Sequence, residues 1–166
     1  QLLDMTTGLD YSENYADPAA QIHEHARAGG FLPRAPGYQG ADSFYDFLKT
    51  VRPLGEHGRA FAYKTVNTDT LGWVIRRATG LHLAELISQR LWQPLGCEQD
   101  AFFAIDSHGT DFAGGGLNTT LRDLARLGEM MRLRGHFNGR QIVPEAVVDD
   151  IAAGADPTHF AQAGYA

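Results

Sequence analysis

The stretch Tyr63-Lys64-Thr65-Val66-Asn67-Thr68-Asp69 decides how this 166-residue chain is interpreted. It follows the apolar pair Phe61-Ala62 and leads into helical periodicity, so the sequence predicts a tyrosine just ahead of a helix N-terminus. Backbone amides at that end of a helix create a positive field. A phenol, whose pKa is ordinarily near ~10, can transfer protons when cationic neighbours favour its ionised form. Tyr63 is therefore the candidate catalytic residue.

Tyr63 also has a purely structural interpretation. By composition alone, the commoner role of such a tyrosine is that of a core aromatic whose hydroxyl bonds to the backbone. Lys64 stands next to it, but side chains alternate in extended backbone, so Lys64 is expected to point away. We therefore assign Lys64 no catalytic role.

The composition excludes several classes of partner. With 43% hydrophobic residues the chain can form a core, and 20 acidic against 14 basic side chains make it mildly acidic. No run of Lys or Arg lies along one face, so nucleic acid is not expected as a partner. The apolar stretches are too short to span a membrane, and no secretory signal is visible. The compartment and the oligomeric state stay undetermined, although we favour the cytoplasm.

Cap residues and hydrophobic spacing predict a mainly α chain with a few short strands. The expected helices run from Asp17-Pro18 to Ala28, Asp42 or Ser43 to Val51, Asn67 to Gly80, Leu83 to Trp92, and onward from Thr120 and from Pro144. Asn67 is expected to cap its helix, and the buried stripe of that helix to be Leu71, Val74, Ile75 and Ala78. We expect a strand at 101–105, a hairpin at Asn138-Gly139, a helix end at 1–6 stopped by Gly8, and a poorly ordered tail from Gly154.

Neither a metal nor another cofactor is expected. His23 and His25 are two residues apart, so on a helix they point in different directions and do not share one metal. The three glycines at 114–116 lack the Lys-Ser/Thr that follows in a phosphate-binding loop. Cys97 is the single cysteine, and no base stands beside it in the sequence, so we interpret it as a small structural side chain.

Several segments, in one order along the chain, resemble the serine hydrolases related to class C β-lactamases and penicillin-binding proteins. The run 61–75 resembles a family segment in which a tyrosine precedes a helix containing Leu71-Gly72. The run 115–126 resembles a glycine turn leading into a capped helix, and 2–9 resembles a helix end before the site. The run 10–18 narrows the resemblance to the 6-aminohexanoate-dimer hydrolase branch.

This resemblance implies both a fold and an activity. The fold would be the helical part of a β-lactamase/transpeptidase-like α+β fold, with 1–166 forming a single, incomplete domain. The activity would be cleavage of a small amide, ester or lactam through an acyl-enzyme, with Tyr63 and a lysine moving the proton of a serine. Tyr15 and Phe31 would bind the substrate, Tyr15 at the amide and Phe31 as a lid.

The sequence also departs from the pattern of that family. The family nucleophile lies in Ser-x-x-Lys, and no lysine stands three residues after any serine of this chain, namely Ser12, Ser43, Ser88 and Ser107. A Lys-Thr-Gly-like motif is absent too. Thr65 replaces an asparagine common in relatives, and Ala26 replaces an acidic residue that some amide-cleaving relatives carry, with Glu24 near it. The chain therefore looks like an internal piece that is inactive alone.

Two other functions remain open at this level. The intact protein could be a non-catalytic binding or structural member of the same fold, if the missing motifs are absent from its gene. It could also be a free-standing helical regulatory module, but that leaves the segment around Tyr63 unexplained.

Overall fold

The computed structural model describes residues 1–154 and 156–160. This part of the chain is mainly helical with short strands, as predicted. Its helices are α1 (Gln21–Ala28), α2 (Phe44–Leu48), α3 (Thr65–Thr79), α4 (Leu83–Ile87), α5 (Gln93–Leu95), α6 (Leu121–Arg132) and α7 (Glu145–Ala153). A π-helical turn, Ser88–Trp92, joins α4 to α5, and a 3₁₀ turn spans Pro157–Phe160. Every helix in these ranges is too short or too polar to cross a lipid bilayer.

The strands form two small antiparallel pairs. Strand β1 (Phe102–Phe103) pairs with β2 (Leu117–Asn118), which confirms a strand within 101–105. Strands β3 (His136–Phe137) and β4 (Arg140–Gln141) form the predicted hairpin. Asn138 and Gly139 turn it with positive φ angles of 49° and 73°, the geometry that an Asn-Gly turn favours.

The core lies where α1, α2 and the start of α3 meet. Its buried residues include Tyr11, Ile22, Ala28, Phe47 and Val66. Burial of these apolar side chains contributes about 1.5 to 3 kcal/mol for each of the larger ones, so this cluster fixes the relative positions of the three helices.

Two helices are shorter than their sequence signals predict. Helix α1 begins at Gln21 because Asp17 forms a preceding turn, in which its Oδ1 accepts the Ala19 N–H at 2.9 Å. Ser43 caps α2 as predicted by accepting the Asp46 N–H at 3.1 Å, but that helix ends at Leu48 rather than Val51.

Other helix ends also differ in detail. The turn at 1–6 has the two hydrogen bonds of a helix end, from Thr6 N to Gln1 O and from Met5 N to Leu2 O. Met5, at φ 54°, takes the left-handed position there, so the predicted stop at Gly8 is wrong. The helix predicted to end at Trp92 continues through the π-helical turn past Pro94. In the predicted disordered tail, residues 157–160 form a turn, whereas 155 and 161–166 lie outside the described residues.

Helix α3 contains the largest corrections. It begins at Thr65, and Asn67 lies inside its first turn, where the buried side-chain amide accepts a 2.6 Å hydrogen bond from Thr7 Oγ1. The prediction that Asn67 caps the helix is therefore wrong. Val74 and Ala78 are exposed, Val74 by 51%, and Leu71 and Ile75 are only half-buried, so the predicted buried stripe is wrong as well. The buried face of α3 is its polar N-terminal half, because that half packs into the network described below.

Candidate active site

Helix α3 is held at its N-terminus by Lys64, the residue that precedes it. Lys64 has extended backbone, with φ −148° and ψ 109°. Its ammonium points inward and donates to the carbonyls of Thr7, at 3.0 Å, and Leu9, at 2.6 Å. Burial lowers the pKa of Lys64, with a smaller opposing effect from Asp10. Lys64 is thus an anchor, and the expectation that it points away from Tyr63 agrees with its extended backbone.

Glu13 supplies the helix cap that Asn67 does not. Its Oε1 accepts the Thr65 N–H at 2.9 Å, which satisfies one of the free amides of the first turn of α3. Its Oε2 is buried and has no hydrogen-bond partner within the described residues. A carboxylate here also complements the positive end of the helix dipole.

Tyr63, Tyr15 and Phe31 line one cavity of about 210 Å³. The complete lining comprises Tyr15, Ile22, His25, Ala26, Phe31, Phe44, Tyr63, Thr65, Phe112 and Gly114. The structure thus brings together the three residues that the sequence analysis selected, although they are spread over 49 positions of the chain. Their roles in a reaction stay predictions.

Tyr63 stands at the mouth of this cavity rather than in the core. Its side chain is 52% exposed, and its hydroxyl forms no hydrogen bond to any described residue. The structural interpretation as a buried phenol tied to backbone therefore does not describe it. Tyr15 is 68% exposed, and its pKa is raised by desolvation, by the Glu13 carboxylate and by Tyr63. The Tyr15 phenol is therefore a neutral hydrogen-bond donor near neutral pH.

Phe31 belongs to a cluster of aromatic rings at one wall of the cavity. Its ring centroid lies 5.0 Å from that of Phe112 and 6.0 Å from that of Phe44. Phe44 and Phe112 stack with centroids 5.1 Å apart. The backbone N–H of Phe31 donates to Ala26 O at 2.8 Å, which ties the ring to the end of α1. Phe31 is 47% exposed and forms a wall of the cavity in this state.

A buried polar network forms the floor. Tyr11 Oη and His25 Nδ1 are 2.8 Å apart, and His25 Nε2 lies 3.0 Å from Asp69 Oδ2. The second contact is close, but its direction falls outside hydrogen-bond geometry. Asp69 Oδ1 accepts the Gly114 N–H at 2.9 Å, and His25 stacks on Phe47 with centroids 4.6 Å apart. The network therefore connects α1 and α3 to the glycine turn.

Sequence reasoning missed several residues of this site. Phe112, Gly114 and His25 line the cavity, while Glu13 and Asp69 support it. His25 has a readable signal, because it falls with Ile22 on the apolar face of α1. The contacts of Glu13 and Asp69 join residues far apart in sequence, and no local pattern marks them.

The serines of the chain lie elsewhere and have structural partners. None of the four, all within the described residues, lines the cavity. Ser43 caps α2, and Ser107 donates to the Asp42 carbonyl at 2.9 Å. A larger groove of about 330 Å³ lies between α3, α4 and β2, but leucines, isoleucines and glycines dominate it and none of its lining residues is titratable. The cavity at Tyr63 is the candidate site, because it brings together the residues selected from the sequence.

The comparison with known proteins identifies the family. A family model described as Beta-lactamase matches residues 1–165, and the chain belongs to the β-lactamase family. The 6-aminohexanoate-dimer hydrolase of Paenarthrobacter ureafaciens is 39% identical over 165 residues, which are 99% of this chain and 41% of that protein. The resemblance seen in the sequence is thereby confirmed, as is the resemblance to its 6-aminohexanoate-dimer hydrolase branch.

Two solved structures share the fold. A Bacillus anthracis protein, provisionally assigned as a 6-aminohexanoate-dimer hydrolase, superposes with a TM-score of 0.82 at 37% identity, covering 90% of this chain and 39% of that one. A Bacteroides dorei DSM 17855 protein, provisionally assigned as a β-lactamase, gives a TM-score of 0.55 at 26% identity, covering 71% and 36%. The predicted fold class is confirmed. The chain spans less than half the length of each of these relatives.

Proposed function

We propose that the complete protein is a serine hydrolase that cleaves a small amide, ester or lactam through an acyl-enzyme. Tyr63 is its proton-transfer residue, and Tyr15 and Phe31 contact the substrate. The observation that carries the proposal is the shared cavity of these three side chains in a chain of the β-lactamase family.

The surroundings of Tyr63 suit proton transfer. Its exposed phenol stands one residue before the Lys64 N-cap of α3, so the first amides of that helix and their positive field are close by. Lys64 is engaged by two carbonyls, so the lysine that works with Tyr63 would be a different one, next to the serine in Ser-x-x-Lys. Burial of the Lys64 anchor supports a fixed position for the phenol.

The reaction has two steps with a shared acyl-enzyme. The serine oxygen bonds to the substrate carbonyl carbon, and its proton passes through Tyr63 to the leaving amine or alcohol as the bond to that group breaks. Water then attacks the acyl-enzyme, releasing the acid and returning the proton to serine. Tyr15, as a neutral donor, would hydrogen-bond the substrate beside the scissile bond. We expect the 166 residues alone to be inactive, because no serine lines the cavity.

A kinetic comparison on the complete protein tests the proposal. Tyr63→Phe should lower kcat by about 10²-fold or more, the usual scale for losing a proton-transfer group. Tyr45→Phe is the matched control, because Tyr45 stacks on Trp73 with centroids 5.1 Å apart and does not line the cavity. A normal rate for Tyr63→Phe would remove Tyr63 from the mechanism.

Covalent labelling distinguishes the enzyme from its alternative. A fluorophosphonate should label one serine of the complete, folded protein. Absence of any label and of any ester hydrolysis would favour a non-catalytic member of the same fold.

A further inference from the structure

The cavity at Tyr63 is lined mainly by aromatic side chains. Of the described residues that line it, five are aromatic, namely Tyr15, Phe31, Phe44, Tyr63 and Phe112, and none is Asp, Glu, Lys or Arg. Ile22 and Ala26 add aliphatic surface from α1. The lining therefore offers dispersion contacts and ring edges rather than a counter-charge.

The polar groups near the floor face one another. His25 meets Tyr11 through Nδ1 and Asp69 through Nε2, and Asp69 also accepts from Gly114. An ionised group entering the cavity would lose its hydration and would have to compete with the contact between His25 and Asp69 for a partner in this network. Such a loss costs several kcal/mol, which disfavours a charged group here.

Charged residues on α1 and in the loop after it are also engaged. Arg27 pairs with Glu24 at 3.1 Å, and Arg34 donates to the carbonyls of Arg27 and Ala28 at 2.9 and 2.8 Å. Glu13 binds the Thr65 N–H through Oε1. Its Oε2, like Asp69 Oδ2, has no hydrogen-bond partner among the described residues, and Glu13 does not line the cavity.

The volume limits the size of the occupant. An apolar cavity of about 150 Å³ is large enough to bind benzene. At about 210 Å³, this cavity holds a phenyl ring with its first substituent. The rings of Phe31, Phe44 and Phe112 pack against one another at one wall, and the centroid of Phe31 lies 5 to 6 Å from those of the other two, the separation at which aromatic pairs attract.

We propose that the cavity binds an uncharged, phenyl-sized group of the substrate beside the scissile bond, so that the protein selects neutral aromatic amides or esters over charged linear ones. This selectivity rests on the proposed function, because only that function makes the cavity part of the active site that contains Tyr63. It differs from what the name of the Paenarthrobacter relative suggests, since a 6-aminohexanoate dimer carries ionised ends.

Binding of three compounds of equal shape tests the selectivity without requiring turnover. Titration calorimetry on the complete protein should give benzamide a Kd at least about 10-fold lower than benzamidinium or benzoate, since discrimination by one fitted apolar group is about 10-fold or more. Equal affinities, or tighter binding of either ion, would overturn the proposal. Tighter benzamidinium would point instead to the free oxygen of Glu13.

Filling the cavity locates the binding site. Ala26→Leu adds three carbons to the wall and should weaken benzamide binding by about 10-fold or more. Ala19→Leu makes the same change at an exposed position before α1 and should leave the Kd unchanged. If Ala26→Leu does not fold, as a thermal melt would reveal, Phe31→Ala should weaken benzamide instead by removing one wall. Unchanged binding in the folded cavity variant would overturn the proposal.

The two proposals fail in different measurements. Benzamide selectivity without serine labelling or hydrolysis would leave the cavity assignment intact and remove the enzyme function. Labelling and hydrolysis without benzamide selectivity would support the enzyme function and overturn the proposed selectivity of the cavity.

Discussion

The backbone N–H of Thr65 donates to Glu13 Oε1 across 2.9 Å, so a residue 52 positions earlier in the chain caps helix α3. Glu13 lies between Tyr11 and Tyr15 in sequence, and its carboxylate raises the pKa of both phenols, in each case as a smaller effect than desolvation. One carboxylate therefore links the position of α3 to the ionisation of the tyrosine that faces the cavity.

Removing this cap should destabilise the protein. Glu13→Ala is expected to lower the free energy of unfolding by about 1 kcal/mol, the usual cost of losing a helix cap. Glu13→Gln keeps an acceptor for the Thr65 N–H and should lose less. Urea denaturation of the complete protein measures both, and equal stability of Glu13→Ala and wild type would show that the contact contributes nothing.

The inward-facing Lys64 should contribute far more to the free energy of unfolding than the exposed Lys49. Lys64→Met leaves the Thr7 and Leu9 carbonyls without their donor, and we expect a loss of about 2 kcal/mol or more in the free energy of unfolding. Lys49→Met removes only a surface pair with Asp46 and should change stability by less than about 0.5 kcal/mol. Similar losses for the two variants in denaturant titrations would contradict the anchor role.

The buried Asp69 carboxylate should stabilise the turn at residues 114–116, because it accepts the Gly114 N–H. Asp69→Ala removes the acceptor of the Gly114 N–H and the neighbour of His25, so a loss of about 3 kcal/mol is expected. Asp150→Ala, at an exposed position of α7, is the matched control and should be nearly neutral. Hydrogen exchange should quicken at the Gly114 amide in the first variant, and unchanged exchange there would be evidence against the link.

Two glycines should respond oppositely to alanine. A Cβ at Gly114 would lie 2.4 Å from Thr65 Cγ2, so Gly114→Ala should cost about 1 to 3 kcal/mol through overpacking. A Cβ at Gly128, on the exposed side of α6, meets nothing within 4 Å. Gly128→Ala should therefore add about 0.5 to 1 kcal/mol, because alanine favours the helix interior. Thermal melts of both variants provide the comparison, and a harmless Gly114→Ala would refute the close packing.

Tyr38 should make stability pH-dependent in strong alkali. Desolvation, a hydrogen bond donated to Glu24 and the charge of that carboxylate raise its pKa to about 12. The folded state thus retains a proton that the unfolded state releases near ~10. The stabilising contribution is fully present below that pH and is lost as pH rises through about 12. Tyr38→Phe should lose less stability over this range than Tyr45→Phe, because only the share of Tyr38 is removed while that of Tyr11 and Tyr15 stays, and unfolding curves across that range would detect the difference.

Local signals predicted the parts of the fold that local interactions determine. Ser43 and Thr120 each accept an amide from the residue three positions on, and Gly80 closes α3 in the left-handed conformation, as their sequence contexts indicate. Tyr63 was selected by its position before α3 and does stand at a cavity. Each of these features depends on neighbours within a few residues.

Tertiary contacts overrode the local signals elsewhere. Asn67 has the chemistry of a cap, yet Thr7 captures its side chain and Glu13 performs the capping instead. The burial of His25 depends on Asp69 and Tyr11, from two other parts of the chain. Helix spacing could not reveal these pairings, because they join residues that only folding brings together.

The extended backbone at Lys64 has a consequence for how this segment can vary. Two adjacent side chains leave it in opposite directions, one toward the Leu9 carbonyl and one toward the cavity. Inserting one residue between Lys64 and Thr65 would exchange the two directions relative to α3, turning the amine toward the cavity side and the phenol toward the buried side. A change of length at this point would therefore be destabilising whichever residue is added or removed. Substitutions that keep the length preserve the two side-chain directions.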